Sequence, residues 1–310
     1  MSDLQPLIAV VGPTGAGKSG LATWLAEKLP GEVINCDSLQ VFRGFDIGTA
    51  KPPLSERESV PHHLFDIRDP DELFAAGDFA RAAKKLIPQI SARGKYPVIC
   101  GGTGFYLRAL LHGLSPGPQR DDTLRDRLNK KEEIQPGTIR RLLLRLDPEA
   151  AARIHPNDRH KSMRALEIRV LTGRKCGDVF SQGTEALTGY RVVQIGLNPP
   201  REQLYASLDE RCRLMLDSGL LAEVDTLLAC WPRSAKPFES LGYKQALQLR
   251  DGLLGPEQAL LEMQQKTRQY AKRQWTWFRA QPDVVWLDGF GREDRVRQEA
   301  LGLVRSFLSS

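Results

Sequence analysis

Eight residues near the N-terminus have types and spacing that suggest specific chemistry. Gly12-Pro13-Thr14-Gly15-Ala16-Gly17-Lys18-Ser19 satisfies G-x-x-x-x-G-K-[ST], the pattern of a phosphate-binding loop. In such a loop glycines let backbone N–H groups turn inward around phosphate oxygens, and the next helix adds positive potential. Lys18 would reach the terminal phosphate, and the Ser19 hydroxyl could ligate Mg²⁺. The run predicts a bound di- or triphosphate without fixing the reaction. A second candidate is Asp37 in Asp37-Ser38-Leu39-Gln40, just after the apolar run 33–36. A carboxylate at the carboxyl end of a parallel strand lies where α/β sheets place ligands and can act as a general base. It can equally cap a short helix with help from Ser38. A third segment, Gly101-Gly102-Thr103, follows the apolar run 97–100. A nucleotide hydrolase or kinase needs a Mg²⁺-holding Asp at the end of such a strand, and this segment offers no carboxylate.

These residues need a scaffold that brings strand ends together, and the surrounding pattern supplies one. Leu7 to Val11 is a continuous apolar run, as expected of a strand buried on both faces. A helical pattern through Leu21, Trp24, Leu25 and Leu29 follows and stops at Pro30-Gly31. Further strands are expected at 33–36, 97–100, 192–197 and 284–287. Helices are expected from Ala75 to about Ile90, from near Phe105, from Arg201 to Leu228, and from Glu257 to Arg279. Strands alternating with helices predict an α/β fold, a P-loop NTPase-like parallel sheet core flanked by helices. The character changes at Ser115-Pro116-Gly117-Pro118. From there to about Arg174 the pattern is helical, with Leu, Ile and Ala interleaved with Arg. The expected organisation is a core of residues 1–118 and 190–310 with an all-helical insertion domain over 119–189.

Charge sharpens that division. The 310 residues carry 44 Lys+Arg and 38 Asp+Glu, a formal charge of +6. Residues 120–175 hold 15 Lys/Arg and 9 Asp/Glu, so this segment alone accounts for the whole excess. A concentrated basic segment points to a polyanionic partner or to a solvated helix face. No apolar run approaches the ~20 residues of a membrane span, and the first residues lack a signal-peptide pattern, so no membrane partner and a cytoplasmic location are expected. The five cysteines are scattered, with no C-x-x-C pair, which indicates neither a disulfide framework nor a structural zinc site. A monomer is the simplest expectation.

An ordered series of motifs resembles the tRNA dimethylallyltransferases, also called tRNA isopentenyltransferases. It runs from G-P-T-x-x-G-K-S at 12–19 through Asp37-Ser38-Leu39-Gln40, Asp46-Ile47-Gly48-Thr49-Ala50-Lys51-Pro52 and Pro61-His62-His63-Leu64 with Asp66. It continues with Gly101-Gly102-Thr103-Gly104-Phe105-Tyr106, His155-Pro156-Asn157-Asp158 and Arg164-Ala165-Leu166-Glu167. Leu241-Gly242-Tyr243-Lys244 and Thr267-Arg268-Gln269-Tyr270-Ala271-Lys272-Arg273-Gln274 complete it. The resemblance implies that dimethylallyl diphosphate occupies the phosphate loop, with Mg²⁺ as cofactor. Its prenyl group would pass to the exocyclic N6 of the adenosine 3′-adjacent to the anticodon, in tRNAs reading codons that begin with U, releasing diphosphate. It implies that Asp37 is the base or positions the amine, that Thr103 lies beside the reacting centre, and that Arg211 binds diphosphate.

The resemblance further implies that the helical insertion grips the tRNA anticodon stem-loop while the target base is flipped into the core. Asp37, Ser38, Leu39, Gln40, Thr103, Arg125, Lys161, Ser162, Met163, Arg164, Ala165, Gly242, Tyr243 and Lys244 are the implied tRNA-binding positions. For Lys272 and Arg273, on a helix with Trp275 and Trp277, core packing with snorkelling is an equal expectation. Two departures stand out: Phe42 replaces a frequent Tyr, and Lys161 stands where Arg is usual, keeping charge but losing bidentate geometry. No Cys/His zinc finger follows, which suits a bacterial-type member. Two other readings compete with the prenyltransferase: a P-loop small-molecule kinase whose basic insertion closes over ATP, and a nucleotide-gated binding module.

Overall fold

In a computed structural model of the chain, residues 4–114, 117, 118, 120–180 and 185–310 are described. Ser115, Pro116 and Gln119, where the change of character and the 118/119 boundary were expected, lie outside them. Six strands form one parallel sheet: β1 (Gln5–Val11), β2 (Gly31–Asn35), β3 (His62–His63), β4 (Tyr96–Cys100), β5 (Tyr190–Asn198) and β6 (Val284–Asp288), in the order β3-β2-β4-β1-β5-β6. The sequence marks five of these strands. It misses β3, whose two residues are too short to show any period. This is the expected P-loop NTPase-like α/β core.

The chain divides into two compact units, Met1–Leu111 with Leu187–Ser310, and His112–Ala186. In the first, α1 (Lys18–Lys28), α2 (Leu54–Arg57), α3 (Ala76–Ala92) and α4 (Gly104–Leu111) precede the insertion. The second unit comprises α5 (Asp122–Ile134), α6 (Thr138–Leu146), α7 (Pro148–Arg153), α8 (Arg159–Thr172) and α9 (Cys176–Phe180). The first unit resumes with β5 and then α10 (Arg201–Asp217), α11 (Leu220–Cys230), α12 (Tyr243–Arg250), α13 (Pro256–Arg279) and α14 (Asp294–Ser309). Within it, Leu187 N–H donates to the Leu110 carbonyl at 3.0 Å, so the chain returns beside the point where it left.

Alternation along β1 explains its unbroken apolar sequence. Ile8 and Val10 join a cluster with Leu21, Leu25, Val98, Val296 and Val304, which packs α1 and α14 on the sheet. Leu7, Ala9 and Val11 are just as buried but lie outside that cluster, because successive side chains point to opposite faces. With β4 on one side and β5 on the other, β1 is central, and its carboxyl end opens between neighbouring strand ends.

The second unit has its own core, built from Leu128, Ile139, Leu143, Ala151, Met163, Leu166 and Val179 among others. Aspartates start three of its helices. Asp121, Asp147 and Asp158 accept backbone N–H groups of Leu124, Ala150 and Lys161, satisfying donors that a first helical turn leaves open. Asp147 is fully buried, and its second oxygen accepts Cys176 N–H at 2.7 Å, tying α7 to α9.

Candidate functional site

The phosphate loop runs from the end of β1 into α1, as its sequence predicts. Gly17, the residue before α1, adopts φ +85°, a left-handed conformation that a side chain would strain. The Ala16 carbonyl accepts Gly291 N–H at 2.8 Å, which braces the loop from the segment after β6. Lys18 bends back so that its ammonium donates to the Pro13 carbonyl at 2.8 Å. Burial pulls the Lys18 pKa down to about 8, with Cys100 and Asp37 acting in the opposite sense. Ser19 is exposed in the first turn of α1.

Thr14 is already engaged at two atoms. Its hydroxyl accepts from Arg211 Nη2 at 3.0 Å, and its N–H donates to Gln274 Oε1 at 2.7 Å. Its backbone donor therefore does not face the loop interior, contrary to the expectation that every residue from 12 to 19 offers itself to phosphate. Arg211 on α10 is held with its Nε buried and without a hydrogen-bond partner. Burial lowers the pKa of that guanidinium. Arg211 also lines a cavity of about 750 Å³ of mixed character, in which Ile47, Pro53, Leu54, Leu214 and Met215 stand beside Arg43, Asp46, Lys51, Arg57 and Asp66.

Next to the loop, β2 and β4 end side by side, with Asn35 opposite Cys100. Cys36 N–H donates to the Cys100 carbonyl at 2.7 Å. This pairing brings Asp37 and the 101–104 loop together. Thr103 N–H donates to the Cys36 carbonyl at 3.3 Å, and Thr103 Oγ1 accepts Ser38 N–H at 3.2 Å. Asp37 caps the turn that follows, with Oδ1 accepting Leu39 N–H at 2.8 Å and Gln40 N–H at 3.4 Å. No helix forms there, so the capping role expected of Asp37 is served by a turn. The two uses are compatible, because turn capping occupies Oδ1 and no side-chain cation among the described residues bonds Asp37. Ser38, Leu39, Gln40 and Thr103 are half-buried.

The segment 46–51 forms a strap beside this site. Gln40 Nε2 donates to the carbonyls of Thr49 and Ala50. Lys51 is buried, with its ammonium on Asp46, on Asp66 at 2.6 Å and on the Phe42 carbonyl at 2.8 Å. Burial would raise the Asp66 pKa, but bonds from Lys51 and Arg57 outweigh it and hold the carboxyl below its usual range. Glu223 accepts the N–H of Ile47 at 2.8 Å, and Tyr243 donates its hydroxyl to Glu223 while accepting Gly48 N–H. Tyr243 is fully buried against Phe45, whose ring also meets Phe238. Its side chain therefore clamps the strap and has no surface for RNA. Gly242 is also buried, and only Lys244 of that trio is exposed. Phe42 is 3% exposed, so a hydroxyl there would face the interior.

In the helical unit the expected RNA positions split the same way. Of the expected tRNA-binding positions 161–165, Ser162, Met163 and Ala165 are buried on α8. Lys161 is exposed and pairs with Asp158 at 3.0 Å. Arg125 makes two bonds of 2.8 Å to the two oxygens of Glu167, and Arg164 reaches Glu167 and the Pro118 carbonyl. Burial would raise the Glu167 pKa, yet Arg125, Arg164 and the Asp121 N–H together bring it to about 2. Among the described residues, exposed cations without an ion pair include Arg127, Lys130 and Lys131 on α5, and Arg145 and Arg153. Lys272 and Arg273 on α13 are exposed as well, while Trp275 beside them is buried. One residue with a clear structural role was given none from sequence: Gln274, a polar side chain between the buried Ala271, Trp275 and Phe278.

Among the described residues no three His, Cys, Asp or Glu side chains are grouped to hold a metal ion. No helix among them is long and apolar enough to cross a membrane.

Comparison with known proteins bears on the assignment. A sequence model described as IPP transferase matches residues 40–281. A protein named tRNA dimethylallyltransferase from Solibacter usitatus is 54% identical over 305 residues, covering 98% of this chain and 99% of its own length. One of the same name from Koribacter versatilis is 48% identical, covering 99% and 100%. Among solved structures, the full-length tRNA isopentenylpyrophosphate transferase of Bacillus halodurans superposes with a TM-score of 0.73 at 38% identity, covering 98% and 97%. A eukaryotic dimethylallyltransferase acting on tRNA gives 0.84 at 31% identity, covering 98% of this chain and 80% of that one.

Proposed function

This chain belongs to the IPP transferase family, and we propose that it transfers the dimethylallyl group of dimethylallyl diphosphate to tRNA. The acceptor we assign is the exocyclic N6 of the adenosine 3′-adjacent to the anticodon, in tRNAs reading codons that begin with U. One observation supports this above the others: a phosphate loop lies next to a carboxylate, with no metal-holding Asp at the end of β4. Phosphoryl transfer needs that Asp. Displacement of diphosphate by an amine needs an anion cradle and a proton acceptor, and this edge offers both.

In the reaction the N6 nitrogen forms a bond to C1 of the prenyl group while the C1–oxygen bond to diphosphate breaks. Lys18, Arg211 and the free backbone N–H groups of residues 12–19 stabilise the charge that develops on the leaving group. Asp37 accepts the N6 proton, and Thr103, tied to Asp37 through Ser38, orients the amine. Ser19, exposed in the first turn of α1, fits Mg²⁺, which is usually held by one or two protein oxygens, waters and substrate phosphate. When bound, the ion would neutralise diphosphate charge. Lys244, Lys161 and the α5 cations are the surface groups we assign to the RNA backbone, acting on a single chain in the cytoplasm.

The test is incubation with dimethylallyl diphosphate, Mg²⁺ and unmodified tRNA, followed by mass spectrometry of the nucleosides. The expected product is N6-dimethylallyladenosine. Its absence, together with phosphate transfer from ATP to a small acceptor, would instead support a kinase.

A further inference from the structure

Helix α13 sends one polar side chain into the interior where two loops meet. Gln274 is 5% exposed, and both ends of its amide are used. Oε1 accepts Thr14 N–H at 2.7 Å, and Nε2 donates to the Gly102 carbonyl at 2.9 Å. These partners fix the amide orientation, since a flipped amide would face donor to donor and acceptor to acceptor. Thr14 belongs to the phosphate loop. Gly102 precedes Thr103, whose hydroxyl accepts Ser38 N–H beside Asp37. A single side chain therefore joins the loop facing the donor to the loop facing the acceptor.

The fit leaves no slack. A Cβ on Gly102 would stand 2.1 Å from Gln274 Nε2, and one on Gly104 would stand 2.1 Å from the Trp277 ring. Residues 274 and 277 lie about one turn apart on α13, so the helix is pinned to the 101–104 loop at two points.

We propose that Gln274 is a positioning residue that sets the distance between the donor and acceptor halves of the site. The proposal rests on the prenyl-transfer reading above. Bond formation requires the reacting carbon and nitrogen within about 3–3.5 Å, and a misplacement of about 1 Å can cost around 10²-fold. Gln274 contacts neither reacting atom and acts through Thr14 and Gly102. Without it each loop keeps its own partner, but the two lose their common register. Turnover then suffers while separate affinities survive.

Two variants test this. Gln274→Met keeps length and burial and removes both bonds. We expect kcat to fall about 10- to 100-fold, with binding of inorganic diphosphate and of tRNA, each measured alone, within about threefold of wild type. Gln274→Glu adds a pH readout. The introduced carboxylate can accept from Thr14 but repels the Gly102 carbonyl, whereas its protonated form can donate there and replaces the amide. Burial and that carbonyl raise the pKa of the introduced group, so its kcat relative to wild type should rise as pH falls. At the acid end it should exceed that of Gln274→Met. The proposal is overturned if Gln274→Met keeps kcat within twofold, if its loss follows weakened diphosphate binding, or if Gln274→Glu never exceeds Gln274→Met. Wild-type protein in the same assay separates this from failure of the prenyl-transfer reading, in which case the wild type itself yields no prenylated tRNA.

Discussion

At the phosphate-loop edge Lys18 rests on one carbonyl, Arg211 keeps a buried Nε without a partner, and Asp37 feels Lys18 and Arg211 without a direct ion pair to either. In the helical unit Arg125 spends two donors on Glu167, Arg164 adds a third bond, and Arg140 fills the carbonyls of Ala151 and Ile154. Both regions are rich in charge, but only the first leaves it poised. An unpaired buried polar group is costly, and at Arg211, beside the phosphate loop, an anionic ligand can repay that cost. The helical unit uses many of its arginines to hold short helices together. A count of basic residues therefore overstates the charge it can offer to RNA. The part that remains free includes Arg127, Lys130 and Lys131, which share one helix.

The contrast can be broken by experiment, and the largest expected effect is at Asp37. Asp37→Asn keeps an oxygen for the turn bonds but cannot accept a proton. Turnover should fall about 10²- to 10⁴-fold while tRNA affinity, read by filter binding, stays within about threefold. Next is the α5 face. Replacing Arg127, Lys130 and Lys131 by Ala should weaken tRNA binding and flatten the plot of log K against log salt by about two to three. Arg125→Ala should leave that slope nearly unchanged and lower the melting temperature instead. A reversed outcome would mean that the paired arginine, not the free cations, meets the phosphates.

Glu167 gives a third, smaller effect. Its pKa is depressed from 4.5 to about 2 in the folded chain, so its stabilisation is complete above about 4.5 and is lost as pH falls towards 2. Urea melts should show this acid-side loss in wild type, and Glu167→Gln should lack that part of it. The smallest effect concerns Lys18, whose pKa of about 8 makes it cationic below that value and neutral above. Affinity for inorganic diphosphate should decline as pH rises through 8, as followed by calorimetry. Lys18→Arg should bind without that decline.

Much of the phosphate-loop edge was legible because its signals are local. Glycine spacing, an apolar run and the helix after it all lie within about 25 residues, and five of six strands show as apolar runs. The spacing of Val296, Ala300, Leu301 and Val304 was enough to expect α14, which the motif-led expectations do not include. What stayed hidden depends on distant pairs. Gln274 meets residues 260 and 172 positions away, and Arg125 meets Glu167 across 42. No period or motif encodes such pairings. For the same reason Tyr243 reads as an RNA contact from its motif, whereas packing against Phe45 and bonds to Glu223 and Gly48 make it a clamp.

The most direct test is single-turnover transfer of labelled dimethylallyl to saturating tRNA by wild type, Asp37→Asn and the α5 triple variant side by side. The expected result is a wild-type rate for the triple variant and a rate at least about 10²-fold lower for Asp37→Asn. A slow triple variant beside an unimpaired Asp37→Asn would contradict the assignment of chemistry to the strand-end edge.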